Sequence, residues 1–272
     1  MTQPSWRLLL TGTADGATNM AVDQAILEAV AAGRASPTLR FYAWEPACLS
    51  LGYTQPLADI DCARLTAQGR DLVRRMTGGR AILHTDELTY SVALPGDHPL
   101  VAGGIVESYR RLSQALMNGL ETFGASVQAD RMTRANPDSK GPVCFEVPSH
   151  YEMTANGRKL VGSAQVRKFG GVLQHGSLPL VGDISRICEA LIFESDEQRQ
   201  HTRERVRQRA ATLESVLDRA ITWEQAAETI ADSFRQTFDL VLEPGALTPE
   251  EQTRAAELRA EQYATPDWNG RF

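Results

Sequence analysis

The chain has 272 residues, 42% hydrophobic and 23% charged, and its 28 lysines and arginines against 34 aspartates and glutamates give a net charge of −6. This composition predicts a globular protein and excludes a disordered or fibrous one. A nucleic-acid binder is not expected from an acidic chain, and no apolar run reaches the roughly 18 residues that a membrane-spanning helix needs. The first residues lack the basic leader of a secretory signal, so we expect a cytoplasmic protein with no membrane partner.

The first half of the chain predicts helices and strands in mixed order. Apolar residues on one helical face predict helices over residues 19–30 and 105–123. Strands are predicted over residues 38–44, 47–51, 72–76, 80–84 and 88–94. Pro46 marks a turn between the first two of these strands.

The second half predicts a hairpin region followed by helices. Residues 130–142 are polar and contain proline, which predicts a mobile surface loop. Strands over residues 150–155, 159–168 and 172–180 predict a three-stranded meander, since Asn156-Gly157 is a strong hairpin signal. Beyond Gly182 we predict helices over residues 184–192 and from Leu213, and helix starts at the capping boxes of Thr222 and Thr248.

The arrangement of these elements predicts the fold class. The strands fall in hairpins rather than alternating with helices, which favours a mixed, mainly antiparallel sheet over a doubly wound one. We therefore predict a single α/β domain over residues 1–272, with the sheet flanked by helices and residues 183–272 as a mainly helical part.

Residues 74–80, RRMTGGR, form the first candidate site. Paired glycines allow close approach of the backbone to a ligand, and the arginines could hold an anionic or carbonyl-bearing group. The alternative is an ordinary glycine turn with solvated arginines, and the pattern of a Walker A loop is missing. His84, which follows, is open to interpretation as a core-facing or hydrogen-bonded histidine.

Residues 158–164, RKLVGSA, form the second candidate site. Lys159 follows the predicted turn in a strand that continues with small residues, so its side chain could project into a cleft, where burial would lower its pKa. The alternative is a lysine at a hairpin edge that discourages aggregation. His175 in the next strand could add a polar group to the same cleft or be structural.

The cysteines and one basic run complete the candidates. Cys48, Cys62, Cys144 and Cys188 are scattered without a CxxC pair, which predicts neither a zinc site nor a disulfide framework. Cys144 follows the polar loop, where a thiol is accessible and a nearby ammonium would favour the nucleophilic thiolate. Residues 199–209, with five arginines and one glutamate, fit either a solvated helix face or a docking surface for an acidic protein.

Together these motifs resemble the superfamily of lipoate-protein ligase A, biotin protein ligase and octanoyltransferases. The resemblance runs in order through NMAVDQAIL, LRFYAWEPACLSLGY, RRMTGGRAILHTDELTYSV, GRKLVGSAQVRKFGGVLQHGSLPL and LTPEEQTRAAELRAEQYATPDWN. Within it, VCFEVPSHYEM resembles the cysteine-dependent octanoyl-[acyl carrier protein]:protein N-octanoyltransferases of Gram-positive bacteria.

The resemblance implies roles for individual residues. Cys144 would carry the acyl group as a thioester, and Lys159 would lower the pKa of that thiol. The residues expected to contact the substrate are Arg75, Gly78, Gly79, Arg80, His84, Gly162, Ser163, Ala164 and His175.

The resemblance also implies a reaction. A monomer without metal or cofactor would transfer octanoyl from acyl carrier protein to a lysine of a lipoyl-domain protein, such as the glycine-cleavage H protein. Three alternatives stay open: an ATP-dependent lipoate or octanoate ligase, an amidotransferase between lipoyl domains, and a non-catalytic module that binds carrier proteins. Many such ligases need a further C-terminal domain, for which a chain ending at Phe272 is expected to leave no room.

Overall fold

The computed structural model describes residues 3–130 and 152–272. Within these ranges the strands are β1 (Ser5–Ala14), β2 (Thr38–Trp44), β3 (Cys48–Leu51), β4 (Asp71–Arg74), β5 (Ile82–His84), β6 (Glu87–Pro95), β7 (Val127–Asp130), β8 (Glu152–Ala155), β9 (Arg158–Lys168), β10 (Gly171–Pro179) and β11 (Val241–Pro244). The helices are α1 (Gly16–Ala31), α2 (Cys62–Ala67), α3 (Ile105–Thr122), α4 (Asp196–Arg209), α5 (Leu213–Leu217), α6 (Trp223–Phe238), α7 (Pro249–Leu258) and α8 (Pro266–Asn269).

Eight strands form the main sheet, in the order β11-β1-β2-β6-β10-β9-β8-β7. The first three strands run parallel to one another, and every later pair is antiparallel. The hairpins predicted around Asn156-Gly157 and Phe169-Gly170 supply β8, β9 and β10 as neighbours. The prediction of a mixed, mainly antiparallel sheet flanked by helices is therefore confirmed.

A second, three-stranded sheet has the order β4-β3-β5. β3 pairs parallel with β4 and antiparallel with β5. The segment that connects β4 to β5 is the glycine-containing motif of the first candidate site. This small sheet therefore fixes both ends of that motif.

The main sheet separates two layers of helices. On β2, Phe41 packs into a core with α3 and α6, whereas Tyr42 and Trp44 pack into a core with α1 and α7. This is the alternation of side chains that a strand covered on both faces requires. The predicted helical tail thus contributes to both layers, through α6 on one side and α7 on the other.

Some local predictions need correction. Residues 184–192 were expected to form an α-helix, but Ile184–Ala190 forms 3₁₀ turns. Here the backbone N–H of Asp61 donates to the Ala190 carbonyl at 3.0 Å and Ile60 pairs with Leu191, which draws the chain into extended form. Strands β1, β7 and β11 were not predicted. The loop predicted over residues 130–142 lies, apart from its first residue, outside the described ranges.

Candidate active site

A cavity of about 440 Å³ lies beside β9, β10 and the segment between β4 and β5. Ten of the eleven predicted site residues line it: Arg75, Gly78, Gly79, Arg80, His84, Lys159, Gly162, Ser163, Ala164 and His175. Apolar wall is added by Met20 on α1, Tyr42 and Trp44 on β2, and Ile82 on β5. The structure thus brings both candidate motifs to one cavity, while the role of each residue there stays a prediction.

The glycine loop, residues 75–80, forms one wall of this cavity. Gly79 has φ +97°, a conformation that favours glycine. Gly52, at the end of β3, packs so closely that a Cβ on it would lie 1.9 Å from the Gly79 carbonyl oxygen. Arg75 donates from Nη2 to the carbonyls of Gly78 and Arg80, at 3.2 and 3.1 Å. The Arg75 guanidinium therefore stabilises the conformation of the loop by these two hydrogen bonds, and it also lines the cavity.

Lys159 places an ammonium group in the cavity wall. It lies on β9, between β8 and β10, and only 4% of its surface is exposed. Its Nζ donates to the Glu152 carboxylate of β8 at 2.9 Å. The interpretation of Lys159 as an exposed edge lysine is therefore wrong, and the cleft interpretation agrees with its position.

His84 connects the small sheet to β6. Its Nδ1 lies 2.6 Å from Oε1 of Glu87, and its Nε2 lies 2.6 Å from the Ser50 hydroxyl, which also accepts a hydrogen bond from Arg75. The Trp44 ring stacks on the imidazole at 4.0 Å. Burial raises the pKa of the Glu87 carboxyl, but His84 and hydroxyl donors outweigh it and hold that pKa below its ordinary value. We name this series Glu87–His84–Ser50–Arg75 the first relay.

His175 belongs to a second buried series. Its Nδ1 lies 3.2 Å from Oδ2 of Asp23, and its Nε2 lies 2.7 Å from the Thr77 hydroxyl. Burial would raise the pKa of Asp23, yet the Arg40 guanidinium at 2.7 Å and hydrogen bonds keep it lowered. The pKa of His175 is lowered because burial outweighs the attraction of Asp23. We name the series Asp23–His175–Thr77 the second relay.

Comparisons with known proteins assign the chain to a family. The model of the lipoyl protein ligase A/B catalytic domain matches residues 15–235. An octanoyltransferase LipM of Moorella thermoacetica is 46% identical over 98% of both chains. Another, of Brevibacillus brevis, is 39% identical over 97% of this chain and 98% of its own. The chain belongs to the lipoyl protein ligase A/B family. Since these close relatives are octanoyltransferases, it is an acyltransferase that acts by octanoyl transfer in lipoylation.

Solved structures share the fold of this family member. The bipartite lipoate protein ligase of Thermoplasma acidophilum superposes with a TM-score of 0.82 at 23% identity, covering 99% of this chain and 98% of that one. A lipoate-protein ligase A bound with ATP gives 0.81 at 25% identity, covering 98% of this chain and all of that one. The first likeness supports the fold alone.

The cysteines of this family member differ in their surroundings. Cys48 and Cys188 are buried, and burial raises the pKa of the Cys48 thiol well above its ordinary value. Cys62 is exposed at the start of α2. Cys144, the predicted nucleophile, lies outside the described residues. Among the described residues, no cluster of three or more histidine, cysteine or acidic side chains could hold a metal ion, and no helix is long and apolar enough to cross a membrane.

The basic run of this family member lies on α4. Arg207 bonds to Asp183 at 2.6 Å, and Arg203 bonds to Glu189 at the same distance. Arg199 pairs with Asp196 within the helix. Part of the positive charge of α4 is therefore compensated by this chain's own carboxylates, and docking of an acidic protein stays a prediction.

Proposed function

We propose that this acyltransferase moves an octanoyl group from acyl carrier protein to a lysine of a lipoyl-domain protein, such as the glycine-cleavage H protein, through a thioester on Cys144. The observation that carries the proposal is a buried lysine ammonium in a cavity bounded by the glycine loop, in a chain 46% identical to an octanoyltransferase. No cofactor of the enzyme is needed, because the donor protein carries the acyl group on its phosphopantetheine arm.

In the first half-reaction, the Cys144 thiolate attacks the thioester carbonyl of the donor. A sulfur–carbon bond to the enzyme forms, the bond to pantetheine breaks, and the pantetheine thiolate takes up a proton as it leaves. One thioester replaces another, so no ATP is consumed. In this proposal the Lys159 ammonium favours the thiolate by its charge and exchanges a proton with the leaving group.

In the second half-reaction, the neutral amine of the acceptor lysine attacks the acyl-enzyme. An amide bond forms, the amine loses a proton, and the Cys144 thiolate departs. Because an amide is more stable than a thioester, this step runs in one direction. Two successive half-reactions on one nucleophile predict ping-pong kinetics.

The apolar part of the cavity suits the acyl chain. The apolar wall is supplied by Met20, Tyr42, Trp44 and Ile82. Burying the methylene groups of an octanoyl chain would contribute about 0.8 kcal/mol each, or several kcal/mol in total. That contribution is large enough to retain the octanoyl chain in the cavity.

The proposal is tested by intact-mass measurement after incubation with octanoyl-acyl carrier protein in the absence of ATP. We expect the wild-type protein to gain the mass of one octanoyl group and Cys144→Ala to gain none. Cys62→Ala, which removes an exposed thiol that is not among the residues lining the cavity, is the matched control and should be acylated like wild type. An acylated or fully active Cys144→Ala variant would refute the covalent role of Cys144.

The same assay separates the alternatives. A ligase would label the acceptor from free octanoate only with ATP and would be indifferent to Cys144. An amidotransferase would accept octanoyl from a lipoyl domain but not from acyl carrier protein. A non-catalytic binding module would give a complex with neither acyl-enzyme nor product.

A further inference from the structure

Both relays end on the glycine loop, at two different places. The first relay reaches the loop at Arg75, and the second reaches it at Thr77. Each relay contains one imidazole, and its Nδ1 is hydrogen-bonded to a buried carboxylate. Neither His84 nor His175 has more than 5% of its surface exposed.

One assignment of hydrogens uses every donor of the first relay. Arginine can only donate, so the Ser50 oxygen accepts from Arg75 and its own O–H is left to donate to Nε2 of His84. In the assignment that gives the Ser50 O–H an acceptor, Nε2 is unprotonated and Nδ1 carries the proton that is donated to the Glu87 carboxylate. The first relay is fully satisfied only with a neutral His84 in its Nδ1–H tautomer.

The second relay has the same direction. The Asp23 carboxylate already accepts from Arg40, Tyr42 and Ser91, at 2.7, 2.9 and 2.8 Å. His175 can bond to this carboxylate only by donating Nδ1–H. A neutral His175 then offers the Nε2 lone pair to the Thr77 hydroxyl, 2.7 Å away.

A carboxylate, an imidazole and a hydroxyl in series also describe the triad of a serine hydrolase. Here, however, Ser50 and Thr77 have 0% of their surface exposed, and neither is among the described residues that line the cavity. A hydroxyl in this position cannot meet a substrate carbonyl. Such a hydroxyl can instead hold the glycine loop in place. Thr77 belongs to the loop, and Ser50 is hydrogen-bonded to Arg75 of the loop.

We propose that His84 and His175 are positioning residues: through the hydroxyls of Ser50 and Thr77, their Nε2 lone pairs hold the glycine loop in the shape that binds the acyl group. The inference rests on the proposed function in taking this cavity as the acyl site. It does not depend on the thioester at Cys144.

The test uses variants that remove one hydroxyl each. Thr77→Val keeps the shape of the side chain and removes the O–H, whereas Thr77→Ser keeps the O–H. Ser50→Ala breaks the first relay. Ser233→Ala is the matched control, because the Ser233 hydroxyl is also buried and donates at 2.6 Å, but to Ala115 between α6 and α3.

Two measurements are made on each variant. Binding of octanoic acid is followed by isothermal titration calorimetry. KM for octanoyl-acyl carrier protein is measured separately from kcat. We expect Thr77→Val and Ser50→Ala to weaken octanoic acid binding and raise KM roughly tenfold with a smaller change in kcat. Thr77→Ser and Ser233→Ala should behave like wild type.

The outcomes are distinguishable from those of the proposed function. Weaker binding in the two relay variants supports the inference even if Cys144 forms no thioester. The inference would be overturned if Thr77→Val and Ser50→Ala bound octanoic acid and showed KM values like wild type. It would also be overturned if Ser233→Ala lost as much binding as these two variants, or if the wild-type protein bound no octanoic acid. Failure of Thr77→Ser to restore binding would also count against it.

Discussion

Lys159 contributes to stability and, under the proposed function, to acyl transfer, and the two contributions can be separated. Its ammonium lies 2.9 Å from the Glu152 carboxylate, in a pair whose side chains are 4% and 11% exposed. Removing one member of a buried ion pair leaves the other charge without that compensation, which costs about 3 kcal/mol, whereas removing both charges is often nearly neutral.

We expect Lys159→Met to lower the free energy of unfolding by about 3 kcal/mol and to abolish acyl transfer. The double variant Lys159→Met/Glu152→Gln should regain most of the stability but none of the activity. Urea unfolding and the acyl-enzyme assay measure the two effects on the same samples. Activity that returns together with stability would mean that Lys159 serves the fold alone.

At the scale of single residues, the sequence predicted which residues lie together in the site. It did not predict the hydrogen bonds between them. Lys159, His84 and His175 stand in recognisable motifs, and all three line the cavity. The roles of Asp23 and Thr77 were not predicted, because their partners lie on distant strands. A signal was present for Asp23: an acidic residue among the apolar residues of α1 needs a buried partner, which Arg40 supplies.

At the scale of elements, the end of β3 and the glycine loop form one packed unit. The Gly52 position leaves no space for a side chain, since a Cβ would meet both the carbonyl oxygen and the carbonyl carbon of Gly79. The obstacle is backbone, so it cannot be relieved by a change of rotamer. A side chain at Gly52 must therefore displace the loop.

We expect Gly52→Ala to cost about 1–3 kcal/mol of stability, as overpacking does, and to lower acyl transfer because the displaced loop no longer shapes the cavity. Gly78→Ala is the control for stability: a Cβ there would meet nothing within 4 Å. It should unfold at the wild-type denaturant concentration. If Gly52→Ala kept wild-type stability and activity, the loop would not need its present contact with β3.

Elements with local signals were predicted well, and those defined by distant pairing were not. Capping boxes at Thr222 and Thr248 correctly placed the starts of α6 and α7, because the capping hydrogen bonds lie within one helical turn. β11 is a four-residue edge strand that exists through its parallel pairing with β1, more than 200 residues earlier in the chain. No local pattern encodes such a pairing.

At the scale of the whole molecule, ionisable side chains are buried where the layers meet. Asp23 and Arg40 form an ion pair between α1 and the main sheet, and Glu87 lies where the main sheet meets the small one. The pKa values of Asp23 and Glu87 are lowered in the folded protein. Both carboxylates therefore stabilise the fold fully at a pH above their ordinary pKa values of 3.8 and 4.5. This stabilisation is lost as the pH falls through the lowered pKa values that the two carboxyls have in the folded protein.

His175 gives the molecule a second window of acid sensitivity at higher pH. Because burial lowers the pKa of His175 below its ordinary value of 6.5, the unfolded chain binds a proton at a pH where the folded protein does not. The contribution of the neutral imidazole is therefore complete above pH 6.5 and decreases as the pH falls through the folded pKa.

We expect the free energy of unfolding of wild type to fall between pH 7.5 and pH 5, and to fall less in His175→Gln, which has no proton to bind at this position. Urea unfolding across this range measures the difference. His201→Gln, which removes an exposed histidine of α4, is the control and should keep the wild-type pH dependence. Equal slopes for wild type and His175→Gln would show that His175 binds protons equally in the folded and unfolded chains, and the neutral Nε2 lone pair required by the second relay would then lose its support.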